Sequence, residues 1–259
     1  MFSLLQWDQL LLLGVGLIGG IWNAIAGGAT LFTFPALMFF GLPPMVANAT
    51  NFLGLLPSNA AALFAYKHEL LQIGWKLFPL VFVSGLGAIV GSILLVKSNP
   101  DTFLALVPFL ILTAVGLFAF GDTVRRTVID VAGAGRASWL AAIFLFVSSI
   151  YGGYFGAGLG IILLAIAQVI GYSDFHVANG IKNLLATSFT IVSIAIFGLG
   201  GLIDWAAAFF MIIGSTAGGY LGGHFAKTID QSFLRLAVIL FGLVLAGTYF
   251  WRVFISPLN

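Results

Sequence analysis

Apolar residues run along this chain in ten segments, separated by short polar or glycine-rich interruptions. Most segments are long enough to cross about 30 Å of hydrocarbon as helices, which rise roughly 1.5 Å per residue. The pattern therefore predicts an all-α polytopic membrane protein. The segments lie near residues 9–26, 28–41, 44–66, 74–96 and 102–120, and then near 138–156, 158–171, 175–198, 204–224 and 232–253.

Two of these segments, 28–41 and 158–171, contain only about 14 residues each. Each follows its predecessor after a glycine-rich break, so each pair forms a tight hairpin, a re-entrant loop or one interrupted helix. Irregular backbone at membrane depth is tolerated only where protein buries it or where it lines a cavity. We therefore expect the glycine breaks to lie at a functional site.

The second half of the chain repeats the first half, including its polar residues. The stretch from Gly27 to Asn51 has a counterpart about 130 residues later, from Gly156 to Asn183. Such a duplication predicts two related transmembrane repeats with a site shared between them. The predicted organisation is a first repeat in 1–120, a polar cytoplasmic linker in 121–137 and a second repeat in 138–259.

The distribution of Lys and Arg favours opposite orientations for the two halves. With five segments in each half, the basic loops within 67–76, 125–136 and 227–235 all face the cytoplasm, and Lys97 and Arg252 lie outside. If each glycine break is a kink in a single helix, each half has four segments and the halves are parallel. Without the intramembrane Lys, the inside-to-outside split of basic residues is 7 to 2 for inverted halves and 6 to 3 for parallel ones. The positive-inside rule favours the inverted arrangement.

The composition agrees with a membrane interior and excludes several classes of function. Hydrophobic residues make up 61% of the chain and charged residues 7%, which is too few to cover a soluble domain of 259 residues. A formal charge of +2 is too small to predict nucleic-acid binding, and the absence of Cys excludes thiolate metal sites. The sequence contains no metal-ligand spacing, nucleophile elbow or nucleotide-binding loop, so we expect no enzyme, no ATPase and no cofactor.

Lys182 is the most informative polar residue, because it lies about seven residues into the segment 175–198 and hence roughly 10 Å deep. A Lys at the centre of a membrane helix costs about 2.5–3.5 kcal/mol, so one kept at depth usually faces a cavity or a partner. Lys182 either snorkels to the interface or binds an anion or a proton. Asn179 and Asn183 flank it, and the matching place in the first half holds Asn51, with Asn48 and Thr50 beside it.

The glycine breaks supply a second candidate element. A half-helix that begins near Gly28 or Gly158 would point free backbone N–H groups and the positive end of its dipole into the protein, which suits a small oxyanion. Gly27 and Gly160 belong to the same two breaks, and Thr30 could add a hydroxyl group. Glycines spaced by four are also an ordinary signature of helix packing, so packing alone remains an alternative.

These features together resemble the sulfite exporter TauE/SafE family of membrane permeases, also called the toluene sulfonate uptake permease family. The resemblance rests on the glycine-rich break, the short apolar run to Gly41, the Ala47–Asn51 stretch, Trp75 and the Gly87/Gly91 pair, all echoed in the second half. It implies secondary transport of small sulfur-containing anions, such as sulfite or organosulfonates, across a bacterial cytoplasmic (inner) membrane. It also implies about eight membrane spans, fewer than the ten segments of the apolar pattern.

The sequence thus predicts a transporter with a small-anion site between two inverted halves, working by alternating access in the lipid bilayer. Few carboxylates lie deep enough to form a Na⁺ site, so H⁺ coupling or uniport without a coupling ion is preferred. The alternatives are an intramembrane scaffold without its own substrate and an anion channel. The predicted ligand contacts are Gly27, Gly28, Thr30, Asn48, Thr50, Asn51, Gly158, Gly160, Asn179, Lys182 and Asn183.

Overall fold

The computed structural model describes residues 6–25, 28–132, 138–172, 174–225 and 231–255, and within these ranges the chain is helical and has no strand. The helices of the first half are α1 (Gln6–Ile25), α2 (Thr30–Phe39), α3 (Pro44–Ala65), α4 (Lys67–Ile73), a 3₁₀ turn (Gly74–Leu77), α5 (Phe78–Lys97) and α6 (Pro100–Ala119). They are followed by α7 (Gly121–Ala132), α8 (Ser138–Tyr154), α9 (Leu159–Val169), α10 (Phe175–Leu199), α11 (Trp205–Phe225), α12 (Gln231–Phe250) and a π-helical turn (Trp251–Ile255).

The described helices have the length and composition of a multi-pass membrane protein, which confirms the predicted class. Four of them, within 67–97, 100–117, 176–199 and 205–222, are long and apolar enough to cross a bilayer, and five shorter apolar helices accompany them. Large apolar side chains such as Phe82 on α5 and Phe109 on α6 remain exposed on the outer surface. Lipid chains can cover these side chains, whereas water would not.

The two short segments are half-length helices that fold back on their predecessors. Helix α2 has 10 residues and α9 has 11, so each is only about 15–17 Å long, roughly half the hydrocarbon thickness. The ring of Trp22 on α1 stacks on that of Phe32 on α2 at 6.5 Å, and a Cβ on Gly19 would meet the Thr33 methyl group. A kinked continuous helix would separate these residues, so the first break is a hairpin.

Eight longer helices of 17 to 25 residues therefore accompany the two half-helices in the described part of the chain. These numbers can be compared with two expectations from the sequence, namely ten apolar segments and about eight membrane spans. The ten apolar segments are ten helices, and the eight longer ones equal in number the spans that the family resemblance implies.

Helices at matching places in the two halves pair with each other in opposite directions. The first part of α3 lies near the end of α10, where the ring centroids of Phe52 and Phe197 are 5.4 Å apart. The other end of α3 lies near the start of α10, where the rings of Tyr66 and His176 are 6.4 Å apart. Helices α6 and α12 are also antiparallel, because Phe109 contacts Phe250 while Val115 lies against Gly242.

Helices at non-matching places form close parallel pairs through small residues. Helix α1 makes its most extensive contact with α11, and α8 makes its most extensive contact with α5. On α11, Gly218 packs against the backbone of Leu17, and on α5, Gly87 and Gly91 pack against the α8 backbone at Phe146 and Ile150. These glycines allow the helix backbones to touch, which is the packing role that their spacing predicted.

Because α11 pairs with α1 and α5 pairs with α8, the main helices form two groups. The first bundle contains α1, α2, α3 and α11, and the second bundle contains α8, α9, α10 and α5. Each bundle therefore combines the first three membrane helices of one half with the fourth membrane helix of the other half. Outside the bundles, α6 pairs with α12, while α7 packs on α9. The predicted linker is thus helical over Gly121–Ala132, and its residues 133–137 lie outside the described ranges.

Candidate functional site

A cavity of about 130 Å³ lies where the two glycine breaks meet. Cavities need only about 10–15 Å³ of such space to hold one water, so this one accommodates a small anion together with water. The first half contributes Asn23, Gly28, Thr30, Asn51, Phe52, Leu55, Ser58 and Asn59. The second half contributes Phe155, Gly156, Ala157, Gly158, Leu159, Gly160, Leu163, Lys182, Asn183, Ala186, Phe189 and Thr190.

The first break positions a polar cluster at the start of α2. Gly28 has a φ of 74°, which L side chains rarely adopt, and it reverses the chain just before the helix begins. Asn51 of α3 fixes this turn, because its Nδ2 donates to the Thr30 hydroxyl at 3.1 Å and its Oδ1 accepts from the Thr33 hydroxyl.

The second break places the start of α9 beside Lys182. Gly158 caps this helix in the left-handed conformation with a φ of 75°, and a Cβ there would lie 3.1 Å from the Ala114 carbonyl oxygen of α6. Gly160 lies in the first turn, where a Cβ would be 3.6 Å from Cδ of Lys182. The stem of Lys182 therefore lies beside the N-terminal turn of α9.

Lys182 lines the cavity and is half-buried on α10. It has no hydrogen-bond or ion-pair partner within the described parts of the chain. Its stem lies near Gly160, so the side chain follows the wall of the cavity between α9 and α10. The first turns of α2 and α9 also border the cavity, and the N-terminal end of a helix carries a partial positive charge. The ammonium group and both helix ends favour a negatively charged ligand.

The structure brings most of the predicted ligand contacts together. Those that line the cavity are Gly28, Thr30, Asn51, Gly158, Gly160, Lys182 and Asn183. Gly27 lies outside the described residues. Three others lie near the cavity without lining it, namely Asn48, Thr50 and Asn179.

Asn48 and Thr50 connect helices around the cavity. Asn48 is fully buried, and its Nδ2 donates at 2.9 Å to the carbonyl oxygen of Tyr154 at the end of α8. Thr50 accepts from the Asp204 N–H where α11 begins. These bonds attach α3 to two neighbouring helices, so both side chains hold the cavity walls in place. Asn179 is likewise buried, on α10.

Sequence reasoning did not include several polar residues of the cavity. Asn23 of α1 donates to Ser58 Oγ at 2.7 Å and to Asn59 Oδ1 at 2.8 Å, both on α3. Thr190 of α10 also lines the cavity. An amide within an apolar helix was a signal that the sequence offered at Asn23, because such groups need partners in a membrane. Thr190 gave no comparable signal, since a helical hydroxyl can bond to its own preceding turn.

Aromatic pairs close the apolar walls of the cavity. Phe155 meets Phe34 edge to face with ring centroids 5.4 Å apart, and Phe52 meets Phe197 in the same manner at the same distance. Phe34 and Phe197 are fully buried. Each pair joins one half of the chain to the other, so the walls consist of contacts between the halves.

A second cavity of about 1170 Å³ lies between α2, α6 and α12. Its lining is mainly Phe, Leu, Pro and Met side chains, with Asp101, Thr248 and Arg252 among the few polar ones. Neither glycine break borders this cavity, and few of its lining side chains are polar. It therefore lacks the converging hydrogen-bond donors that a small anion needs. Among the described residues, no group of three or more His, Asp or Glu side chains could hold a metal ion.

Comparison with known proteins gives matches along nearly the whole chain. A family model described as Sulfite exporter TauE/SafE matches residues 12–249. A probable membrane transporter protein of Haemophilus influenzae is 32% identical over 240 residues, which cover 90% of this chain and 91% of the relative. The probable membrane transporter protein YfcA of Escherichia coli K12 is 26% identical over 251 residues, covering 92% and 89% of the two chains. No solved structure matches the chain.

Proposed function

This chain belongs to the sulfite exporter TauE/SafE family of membrane transporters, and from that premise we propose that it carries a small sulfur-containing anion by secondary transport. Sulfite and organosulfonates are the substrate class that the family description suggests. We place the protein in the bacterial cytoplasmic membrane, because its relatives are bacterial proteins described as membrane transporters. H⁺ is the coupling ion that we favour.

The observation that carries the proposal is the position of Lys182. It is the one charged side chain in the described lining of the cavity, and the N-termini of α2 and α9 border the same space. An unpaired cation inside a membrane protein is costly, and an anionic ligand would offset that cost. Hydrogen bonds to charged groups contribute about 1.5–3 kcal/mol each, which is enough for selective binding.

The remaining contacts follow from the lining of the cavity. Backbone N–H groups near Gly28, Gly158 and Gly160 would donate to the oxyanion, as would the Thr30 hydroxyl and the amide of Asn183. Asn51 would contribute one N–H while it holds α2 in place. We assign Asn48, Thr50 and Asn179 to positioning the helices that bear these groups.

The transport cycle that we propose is a rocking of one bundle against the other, with residues 1–120 and 138–259 as inverted repeats. The antiparallel pairing of α3 with α10 supports inversion, because halves related by a twofold axis perpendicular to these helices would pair in this way. The small-residue contacts of α1 with α11 and of α5 with α8 lie inside the bundles. The cavity lies between them, where movement would change its access to either side.

A ligand screen on the purified protein tests the binding that this function requires. We expect sulfite or a sulfonate to raise the melting temperature, whereas acetate and other simple carboxylates raise it less. Lys182→Gln should abolish the increase. Lys97→Gln removes the same charge from an exposed position at the end of α5 and should preserve it. If no sulfur oxyanion changes the melting temperature, the chain is better described as a scaffold.

A further inference from the structure

The described lining of the cavity contains a single formal charge. Lys182 supplies it, and the other polar side chains are neutral amides and hydroxyls, contributed by Asn23, Thr30, Asn51, Ser58, Asn59, Asn183 and Thr190. No carboxylate, arginine or second lysine belongs to the lining that the described residues form. With Lys182 protonated, the formal charge of the site is therefore +1.

The pseudosymmetry of the cavity shows where a second charge would be expected and is missing. Lys182 on α10 approaches the first turn of α9 at Gly160, and Asn51 on α3 bonds to the first turn of α2 at Thr30. The two residues thus occupy matching places in the two halves. Asn51 is a neutral amide that is engaged with two hydroxyl groups of α2, so the first half offers hydrogen bonds where the second half offers a cation.

The charge of the ligand decides how well such a site is neutralised. A singly charged oxyanion cancels the Lys182 charge, whereas a doubly charged one leaves an uncompensated negative charge in a low-dielectric interior. The N-termini of α2 and α9 stabilise either ligand, but they supply partial charges whose effect is confined to the first turn. They do not replace a second cation.

We infer that this cavity selects singly charged sulfur oxyanions, such as monoanionic sulfonates or hydrogensulfite, over doubly charged ones. The inference rests on the proposed function and adds the charge of its substrate. It also predicts how a dianion can use the site, namely by first accepting a proton. The selectivity arises from Lys182 together with the neutral residue at position 51.

Two ligands that share a sulfonate and a two-carbon skeleton test the charge alone. At neutral pH, 2-hydroxyethanesulfonate carries one negative charge, and sulfoacetate carries two because a carboxylate replaces its alcohol group. Calorimetry on the purified protein would give both dissociation constants. We expect 2-hydroxyethanesulfonate to bind at least about tenfold more tightly, which is about 1.4 kcal/mol.

Adding a second lysine should reverse the preference. In Asn51→Lys the new ammonium group lies opposite Lys182, and sulfoacetate should then bind as tightly as 2-hydroxyethanesulfonate or more tightly. Asn51 is almost fully buried and hydrogen-bonded, so Asn183→Lys serves if the first variant does not fold. Asn183 lines the same cavity and is only partly buried. Asn183→Gln is the neutral control: it should weaken the binding of both ligands, because it moves a donor amide, while the ratio of their dissociation constants stays that of the unmodified protein.

The outcomes separate this inference from the proposed function. If sulfoacetate binds the unmodified protein as tightly as 2-hydroxyethanesulfonate, the charge selectivity is wrong while anion binding stands. Unchanged preference in a folded Asn51→Lys or Asn183→Lys protein also overturns it. If neither sulfonate nor sulfite binds, the proposed function fails and the inference fails with it.

Discussion

Lys182 places a basic side chain among apolar helices. A Lys at the centre of a membrane helix costs about 2.5–3.5 kcal/mol, and the described residues offer this one no hydrogen bond or ion pair to offset that cost. A purely structural lysine would have such a partner. The unligated protein is therefore less stable than it would be with an uncharged side chain of similar length.

Lys182→Met should stabilise the unligated protein while it removes anion binding. Methionine has a similar length and no charge, so we expect the free energy of unfolding in detergent micelles to rise by about 2 kcal/mol. The increase in melting temperature caused by sulfite or a sulfonate should disappear in the same variant. A loss of stability would contradict this account, since it would show that Lys182 supports the fold.

Among single residues, those that are unusual inside a membrane could be predicted from the sequence. Residues that are ordinary there could not. Lys182 was predicted because a charge at depth needs a reason, and Gly28 because a break must line a cavity. Asn48 and Thr50 were predicted as ligand contacts, yet the structure places them on bonds between helices. Only tertiary contacts distinguish a buried amide that binds a neighbouring helix from one that lines a cavity.

The helices themselves followed closely from the apolar pattern. All ten apolar segments are helices in the structure, with ends that differ by a few residues. Helices α4 and α7 were not predicted, because Lys67–Ile73 and Gly121–Ala132 are polar and lack a long apolar run. Hydropathy also could not separate a hairpin from a kink at the first glycine break. The contact of Trp22 with Phe32 did so.

Two glycines of α5 test the close contact between α5 and α8. A Cβ on Gly91 would overlap the carbonyl oxygen of Ile150, whereas a Cβ on Gly85 would meet nothing within 4 Å. We expect Gly91→Ala to lower the free energy of unfolding by about 1–3 kcal/mol, the usual cost of overpacking. Gly85→Ala should raise it by about 0.5–1 kcal/mol, because alanine favours a helix more than glycine does.

Chemical unfolding of both variants in detergent micelles measures this difference. The two substitutions lie on the same helix and add the same methyl group, so they differ only in what the methyl group meets. Equal stabilities would show that α5 and α8 do not pack as closely as the structure has them.

At the scale of the whole molecule, the main helices form two interlocked bundles, because α11 belongs with α1 and α3, and α5 belongs with α8 and α10. Each half of the chain therefore contributes one helix to the bundle of the other half. The tight glycine contacts stabilise each bundle from within. The cavity lies between the bundles, and α3 and α10 form much of the contact around it. The central claim is that an anion crosses the membrane when the bundles move about this cavity.

A reversible link between α3 and α10 tests that claim most directly, and the chain has no native Cys to interfere. A Cβ on Gly180 would lie 3.1 Å from Cβ of Tyr66, near the roughly 3.5–4.5 Å of a disulfide, so Tyr66→Cys with Gly180→Cys would join the bundles. Ser84→Cys with Ser149→Cys is the matched control, because those hydroxyl oxygens are 3.1 Å apart within the second bundle.

The measurement is uptake of radiolabelled sulfite or sulfonate into proteoliposomes before and after oxidation, followed by reduction. We expect oxidation of the Tyr66→Cys/Gly180→Cys protein to stop uptake and reduction to restore it. The Ser84→Cys/Ser149→Cys protein should transport in both states. Full uptake through a protein whose bundles are linked by a verified disulfide would contradict the account.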